Sequence, residues 1–288
     1  MAPDTRNESR YALITGASTG IGEACALELA RRGWQVFAGV RKAHDGEALV
    51  ARGGPAISPL LLDVTRRDHI LDAVKRVREQ VGTAGLAGLI NNAGIAVAGP
   101  LEFLPLEEIE RQFQVNVLGV IAVTQAFLPL LRIARGRIVL MGSNSGFWCE
   151  PFLAPYGASK FALEAVADSL RTELRPWSIG VAIVEPGCVR TPILEKSRTD
   201  IEHLQANMSP EMKALYARPL DALRLAGEKV EKLAIPPERV ARAVSHALES
   251  RRPRTRYPVG WDARIQSILI HCLPDRWRDQ ISRWVMGL

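Results

Sequence analysis

The 288-residue sequence predicts an α/β protein built on a doubly wound parallel sheet, and three observations carry that prediction. Six short apolar runs lie in the first two thirds of the chain, at 11–15 (YALIT), 34–40 (WQVFAGV), 57–62, 86–90 (LAGLI), 136–141 (GRIVLM) and 179–184 (IGVAIV). Between them, 21–32, 67–82, 106–133 and 156–176 carry apolar residues at helical spacing. Runs that are apolar throughout describe strands buried on both faces, which is the condition of a parallel sheet covered by helices. The length suits one large domain over 1–288.

Composition narrows the class. With 47% hydrophobic and 24% charged residues the chain is that of an ordinary folded protein. A net charge of +6 is spread over scattered Lys and Arg without the aromatic interleaving of a single-strand reader, so no nucleic-acid partner is expected. Cys25, Cys149, Cys188 and Cys272 form neither a CxxC pair nor a Cys/His cluster, which predicts reduced thiols and no metal. The N-terminus is polar for ten residues and lacks the basic-then-apolar order of a signal peptide. No stretch reaches the roughly 18 uninterrupted apolar residues of a transmembrane helix. A cytoplasmic location is the expectation.

The first strand runs into Thr15-Gly16-Ala17-Ser18-Thr19-Gly20-Ile21-Gly22, a GxxxGxG turn that opens a helix. Glycines there permit a tight turn and bring backbone N–H groups and the positive helix end against a pyrophosphate. The second strand ends on Gly39-Val40-Arg41-Lys42 with no carboxylate until Asp45. An acidic residue at that point would bind a ribose 2′-hydroxyl, whereas the forked guanidinium of Arg41 suits a 2′-phosphate. NADP(H) is therefore preferred, with NAD(H) as the alternative and a plain surface charge as the competing role of Arg41. Asp63, in Leu62-Asp63-Val64-Thr65 after the third strand, either accepts from an adenine amino group or caps the next helix. Asn91-Asn92-Ala93-Gly94 after the fourth strand combines small residues with amides that tie strands together.

Tyr156 and Lys160 lie one helical turn apart, so their side chains share a face. A phenol with pKa of about 10 is a poor acid or base near neutrality. A neighbouring ammonium and the charge of an oxidised nicotinamide would favour the phenolate. Thirteen residues upstream, Gly142-Ser143-Asn144-Ser145-Gly146 follows the fifth strand and offers a hydroxyl to a substrate oxygen. Ser143 is preferred to Ser145 because it follows the strand directly. Pro186-Gly187 makes a rigid turn toward the nicotinamide, and Thr191 is in reach of its carboxamide.

Taken together, TGASTGIG, NNAG, the VNVLG segment around Asn116, a serine thirteen before YxxxK, and PGCVRT resemble the short-chain dehydrogenase/reductase family over about residues 10–192. The resemblance implies a Rossmann-type fold with Tyr156 as general acid/base, Lys160 holding the nicotinamide ribose, Ser143 orienting the carbonyl, and Asn116 bending its helix to hold a relay water. It implies cofactor contacts from Gly16, Ser18, Thr19, Gly20, Ile21, Gly22, Arg41, Asp63, Val64, Asn92, Ala93, Gly94, Tyr156, Lys160, Pro186, Gly187, Val189 and Thr191. It also implies a homodimer or homotetramer formed through the helices at 106–133 and 156–176. VFAGVRKAHDGEAL and the basic, Trp-bearing C-terminus look like the retinol dehydrogenase and 17β-hydroxysteroid dehydrogenase branch, which suggests a small hydrophobic alcohol or carbonyl substrate.

After Pro186 the strand–helix rhythm stops. Residues 191–235 read as a helical insertion over the site, and 261–288 as two helical pieces broken at Pro274, with one more strand at 256–259. The C-terminal pair either packs as ordinary helices or presents Trp277, Ile281, Trp284 and Val285 beside Arg276, Arg278 and Arg283 to a membrane surface. Two other activities remain open at this point. A regulatory nucleotide binder would keep the fold without turnover. An extended-branch epimerase or dehydratase would be expected to show GxxGxxG in the first turn instead.

Overall fold

The computed structural model describes residues 10–286. Its sheet contains β1 (Arg10–Ile14), β2 (Trp34–Val40), β3 (Ile57–Leu61), β4 (Gly88–Asn91), β5 (Arg137–Met141), β6 (Gly180–Pro186) and β7 (Arg256–Val259). These pair in the order β3-β2-β1-β4-β5-β6-β7, and every pairing is parallel. All six expected strands and the later one are present. The order reverses beside β1, between β1 and β4, which opens a crevice at the carboxyl ends of the strands.

Pleating sends alternate side chains of each strand into different layers. Ile14, Val36 and Ala38 pack with Cys25 and Leu29 of α1 (Gly20–Arg31) and with Val240, Val244 and Leu248 of α9 (Pro237–Glu249). Leu13, Phe37 and Leu89 pack on the other face with α3 (Arg67–Val81), α5 (Gly119–Ala134) and α6 (Ala154–Glu173). Burial pushes the Cys25 thiol up to about 12, so it behaves as a small apolar side chain. All four cysteines are free.

The helix expected over 106–133 is interrupted. α4 (Leu106–Phe113) and α5 flank a π-helical turn at Gln114–Leu118, whose extra residue per turn rotates the polar side chains of this segment relative to the apolar face. The combined stretch Leu106–Ala134 is the one helical run among the described residues that is long and apolar enough to cross a membrane by length and composition. Its Val120, Val123, Phe127, Leu130 and Leu131 are buried against the sheet. Two helices fall outside the expected set, α2 (Ala43–Gly53) and α9.

The insertion folds as α7 (Pro192–Ala206) and α8 (Pro210–Glu231), closed at its base where Val189 bridges Ile235. Tyr216 of α8 stacks edge-on against Phe103 and Phe152, and its hydroxyl donates to Glu102 at 2.8 Å. The insertion thus lies against the loops that follow β4 and β5. The C-terminal pair is α10 (Trp261–Cys272) and α11 (Asp275–Met286), separated at Pro274 as expected. Trp277 and Trp284 are 66% and 80% exposed, while the side chain of Val285 lies outside the described residues.

Phe127 is fully buried between α5 and the sheet. Phe127→Ala is expected to cost about 3–5 kcal/mol in urea unfolding. A loss below about 1 kcal/mol would show that the site is not a filled core position.

Candidate active site

The turn from β1 into α1 is shaped by contacts that only glycine permits. Gly16 has φ +64°, and a Cβ there would lie 2.8 Å from the Ala93 Cα. A Cβ on Gly22 would lie 2.2 Å from the Gly16 carbonyl oxygen, so α1 starts directly on the turn. Thr19, at the N-cap, places no side-chain acceptor on the first-turn amides. Those donors and the positive end of α1 fit a dinucleotide diphosphate.

NNAG proves to be the strap for this turn. The Asn92 side-chain amide donates to the carbonyls of Thr15 and Gly16 at 3.0 and 2.9 Å. The Thr15 hydroxyl accepts from the backbone N–H groups of Asn92 and Ala93, both at 3.0 Å. Asn91 donates to Thr124 at 2.9 Å, which ties β4 to α5. Thr191 caps α7 without a side-chain bond, and its methyl would meet a Cβ on Gly20 at 3.1 Å. The segment after β6 therefore closes over the glycine turn.

Arg41 is exposed just beyond β2. Asp63 Oδ1 accepts from the Thr65 N–H at 2.9 Å and the Thr65 hydroxyl at 2.7 Å. The N-cap of α3 is Arg66, so the capping role for Asp63 is not realised. Burial alone would raise its pKa, but the Thr65 bonds and the nearby charge of Arg41 hold the carboxyl below the usual range. Val64 is buried against Gly119 of α5.

At the ends of β5 and α6 the reactive groups converge. Pro155, second residue of α6, lies in its first turn with Tyr156, and Lys160 follows one turn on. Ser143 is buried at the end of β5, its Oγ accepting from Ser145 N–H at 3.1 Å, and it hydrogen-bonds the Tyr156 phenol. Ser145 thus supports Ser143 and is not its rival. Lys160 is 5% exposed, donates from Nζ to the Met141 carbonyl at 2.7 Å, and lies 5.6 Å from the Tyr156 ring centre.

The expected depression of the Tyr156 pKa by Lys160 is not found in the protein by itself. Burial pushes the phenol up, against the hydrogen bond from Ser143, and burial brings Lys160 down to about 8.

Asn116 lies in the π-turn and is 1% exposed. Its carboxamide accepts from Ile95 N–H at 2.9 Å and donates to the Ile95 carbonyl at 3.0 Å and to Ser159 Oγ at 3.1 Å. The Ser159 hydroxyl donates to the Tyr156 carbonyl at 2.7 Å. Gln112, fully buried, clasps Val97 N–H and the Ile95 carbonyl. The sequence reading missed Gln112 and Ser159. The signal for Gln112 was present, since it and Asn116 are amides four apart where the apolar run at 113–133 begins.

Gly187 donates its N–H to the Val259 carbonyl at 2.9 Å, and Cys188 donates to Asp262 Oδ2 at 2.7 Å. A Cβ on Gly187 would lie 2.1 Å from the Asp262 carboxylate. Pro186-Gly187 is thus held between β7 and α10.

The family model described as short chain dehydrogenase matches residues 10–202 of this sequence. The chain belongs to the short-chain dehydrogenase family. Among relatives of this short-chain dehydrogenase is retinol dehydrogenase 5 of Mus musculus, 37% identical, with 96% of this chain and 88% of that protein covered. Another is the NADPH-dependent 3-dehydrocapnine reductase of Ornithobacterium rhinotracheale, 32% identical over 94% of this chain and 95% of that one. A short-chain dehydrogenase from Streptomyces avermitilis has the same fold, with TM-score 0.77, 25% identity and 96% of both chains covered. One from Burkholderia cenocepacia J2315, in complex with NADP, aligns with TM-score 0.70 and 25% identity over 94% and 95% of the two chains. The short-chain dehydrogenase described here lies in the retinol dehydrogenase branch and is an NAD(P)-dependent oxidoreductase of CH–OH groups.

The low pKa of Lys160 predicts a pH-dependent stability. The unfolded chain holds that proton up to 10.5 and the folded chain only to about 8, so the unfolded state binds more protons between those values. Stability then rises with pH across that window. The difference between wild type and Lys160→Met in urea unfolding is expected to move by about 3 kcal/mol in favour of wild type from below pH 8 to above 10.5. A difference constant with pH would show that Lys160 is not desolvated.

Proposed function

We propose that this short-chain dehydrogenase interconverts a hydrophobic primary or secondary alcohol, of steroid, retinoid or lipid type, and its aldehyde or ketone, with NADP(H) in preference to NAD(H). The observation that carries the reading is the meeting of the Ser143 hydroxyl, the Tyr156 phenol and the buried Lys160 amine at the end of β5, beside the glycine turn.

A bound nicotinamide dinucleotide supplies or takes up the hydride. Tyr156 gives its phenolic proton to the carbonyl oxygen in reduction and takes the hydroxyl proton in oxidation. Ser143 donates to the same oxygen as charge grows on it. Lys160 holds the ribose, and its charge adds to the cofactor's own in lowering the Tyr156 pKa. Asn116 fixes the π-turn beside Lys160, where a relay water would sit. Gly16, Ser18, Thr19, Gly20, Ile21 and Gly22 would hold the diphosphate, Asp63 and Val64 the adenine, Asn92, Ala93 and Gly94 the ribose, and Pro186, Gly187, Val189 and Thr191 the nicotinamide.

The phosphate preference rests on Arg41 and on the lack of a carboxylate beside it; the Ornithobacterium relative, an NADPH-dependent reductase, supports it. The hydrophobic substrate is supported by the aromatic trio Phe103, Phe152 and Tyr216 under the insertion, which we read as the substrate lid, and by the retinol dehydrogenase relatives. Half-exposed Leu118 and Phe161, on the helices of the expected interface, support a homodimer or homotetramer. Free cysteines suit the cytoplasm, and exposed Trp261, Ile268, Trp277 and Trp284 suit peripheral membrane contact by α10 and α11.

Following cofactor absorbance over a panel of alcohols and carbonyls tests the reaction. Tyr156→Phe is expected to lose about a hundredfold or more in kcat; full activity in that variant would end the assignment. Arg41→Asp is expected to raise the KM for NADP(H) by about tenfold or more while improving NAD(H). Equal use of both cofactors by the wild type would overturn the preference.

A further inference from the structure

The catalytic loop after β5 is bonded to the C-terminal extension by a chain of side chains. Ser143 Oγ donates to Asn144 Oδ1 at 3.1 Å, and Asn144 Nδ2 donates to Gln266 Oε1 at 2.7 Å. Gln266 Nε2 in turn donates to Glu150 Oε1 at 3.3 Å. Gln266 is on α10, 122 residues from Asn144. The direction of this chain is fixed from one end. Burial raises the Glu150 pKa, against the hydrogen bonds from Ser282 and Gln266 that lower it; in its ionised form the carboxylate only accepts, and so takes the Gln266 NH₂. That leaves the Gln266 carbonyl facing Asn144, which must present its own NH₂ and turn its carbonyl to Ser143. The Ser143 side chain is thereby held in one orientation with its hydroxyl hydrogen on Asn144 Oδ1, and that hydrogen turns to the substrate oxygen when substrate binds.

Two further contacts hold α10 and α11 in place for this task. Trp148 Nε1 donates to Ser282 Oγ at 3.0 Å, both residues being buried. Asp262, one turn before Gln266 and on the same helix face, accepts from Cys188 N–H. One face of α10 therefore reaches both strand-end loops that frame the site.

We infer that Gln266 is a positioning residue for the Ser143 hydroxyl, acting through Asn144, and that Glu150 sets the direction of the hydrogen-bond chain. The inference rests on the proposed role of Ser143. It assigns to the C-terminal extension a part in catalysis that the motifs within residues 10–202 do not contain.

The test is a set of variants assayed for oxidation of all-trans-retinol with NADP⁺, beside Ser143→Ala. Gln266→Leu keeps the volume and removes both bonds. Its kcat is expected to fall about tenfold, with the KM for NADP⁺ within about twofold and Tm within about 4 °C of wild type. Gln266→Glu keeps an acceptor for Asn144 but sets two carboxylates together, and is expected to be equally impaired. Glu150→Gln combined with Gln266→Glu exchanges donor and acceptor, keeps the acceptor toward Asn144 while removing the carboxylate pair, and is expected to recover to within about threefold of wild type. A kcat for Gln266→Leu equal to wild type, or a double variant no better than Gln266→Glu, would overturn the inference. If Ser143→Ala keeps full activity, the role of Ser143 itself is wrong; if it loses activity while Gln266→Leu does not, only the inference about Gln266 fails. Independently of turnover, the Ser145 amide, which donates to Ser143 Oγ, is expected to exchange with deuterium about tenfold faster in Gln266→Leu; an unchanged rate overturns the positioning.

Discussion

Strands buried on both faces run out of ladder partners at their ends, and the backbone groups there must be satisfied by something other than water. In this molecule the side chains that build the site do that work. Asn92 takes the carbonyls at the end of β1, Lys160 takes the carbonyl at the end of β5, and Asp262 takes an N–H just after β6. The constraint is structural before it is chemical. It brings an ammonium, a carboxamide and a carboxylate to one edge of the sheet, where a parallel arrangement also collects the loops.

Lys160 shows the tension in this arrangement. Its bond to Met141 holds it close to Tyr156, yet the burial that makes the bond strong also lowers its own proton affinity. A protein that keeps a costly cation at the end of a central strand gives up stability for a pre-formed site. Asn116, Gln112 and Ser159 extend the pattern on the other side of Tyr156, since each is buried and each holds backbone of the 95–97 segment or of the first turn of α6.

The sheet was legible because each strand is a continuous apolar run, and the glycine turn was legible because the spacing of Gly16, Gly20 and Gly22 has a direct steric meaning. α2 was not, because it buries only Gly46 and Leu49 and carries a glycine inside the helix. α9 does carry a readable stripe at Val240, Ala241, Val244, Ala247 and Leu248, and its register against α1 explains why that stripe is apolar. The π-turn left no mark in the hydrophobic period, since one extra residue shifts the phase without breaking it. The links from Ser143 through Asn144 to Gln266 were beyond sequence reading altogether: they join residues 122 apart in the chain, and polar residues at such distances carry no periodicity.

Asp262 and Gln266 face inward on α10 while Trp261 and Ile268 on the same helix are 54% and 64% exposed. The stretch by which the family is recognised ends at residue 202, well before this helix begins. A chain shortened after β7 would keep every recognised motif and still be a different machine, with Ser143 and the Gly187 turn released from their outer supports. If Gln266 positions Ser143 as inferred, the working unit of this enzyme extends past the stretch by which the family is recognised and takes in α10 and its brace at Ser282.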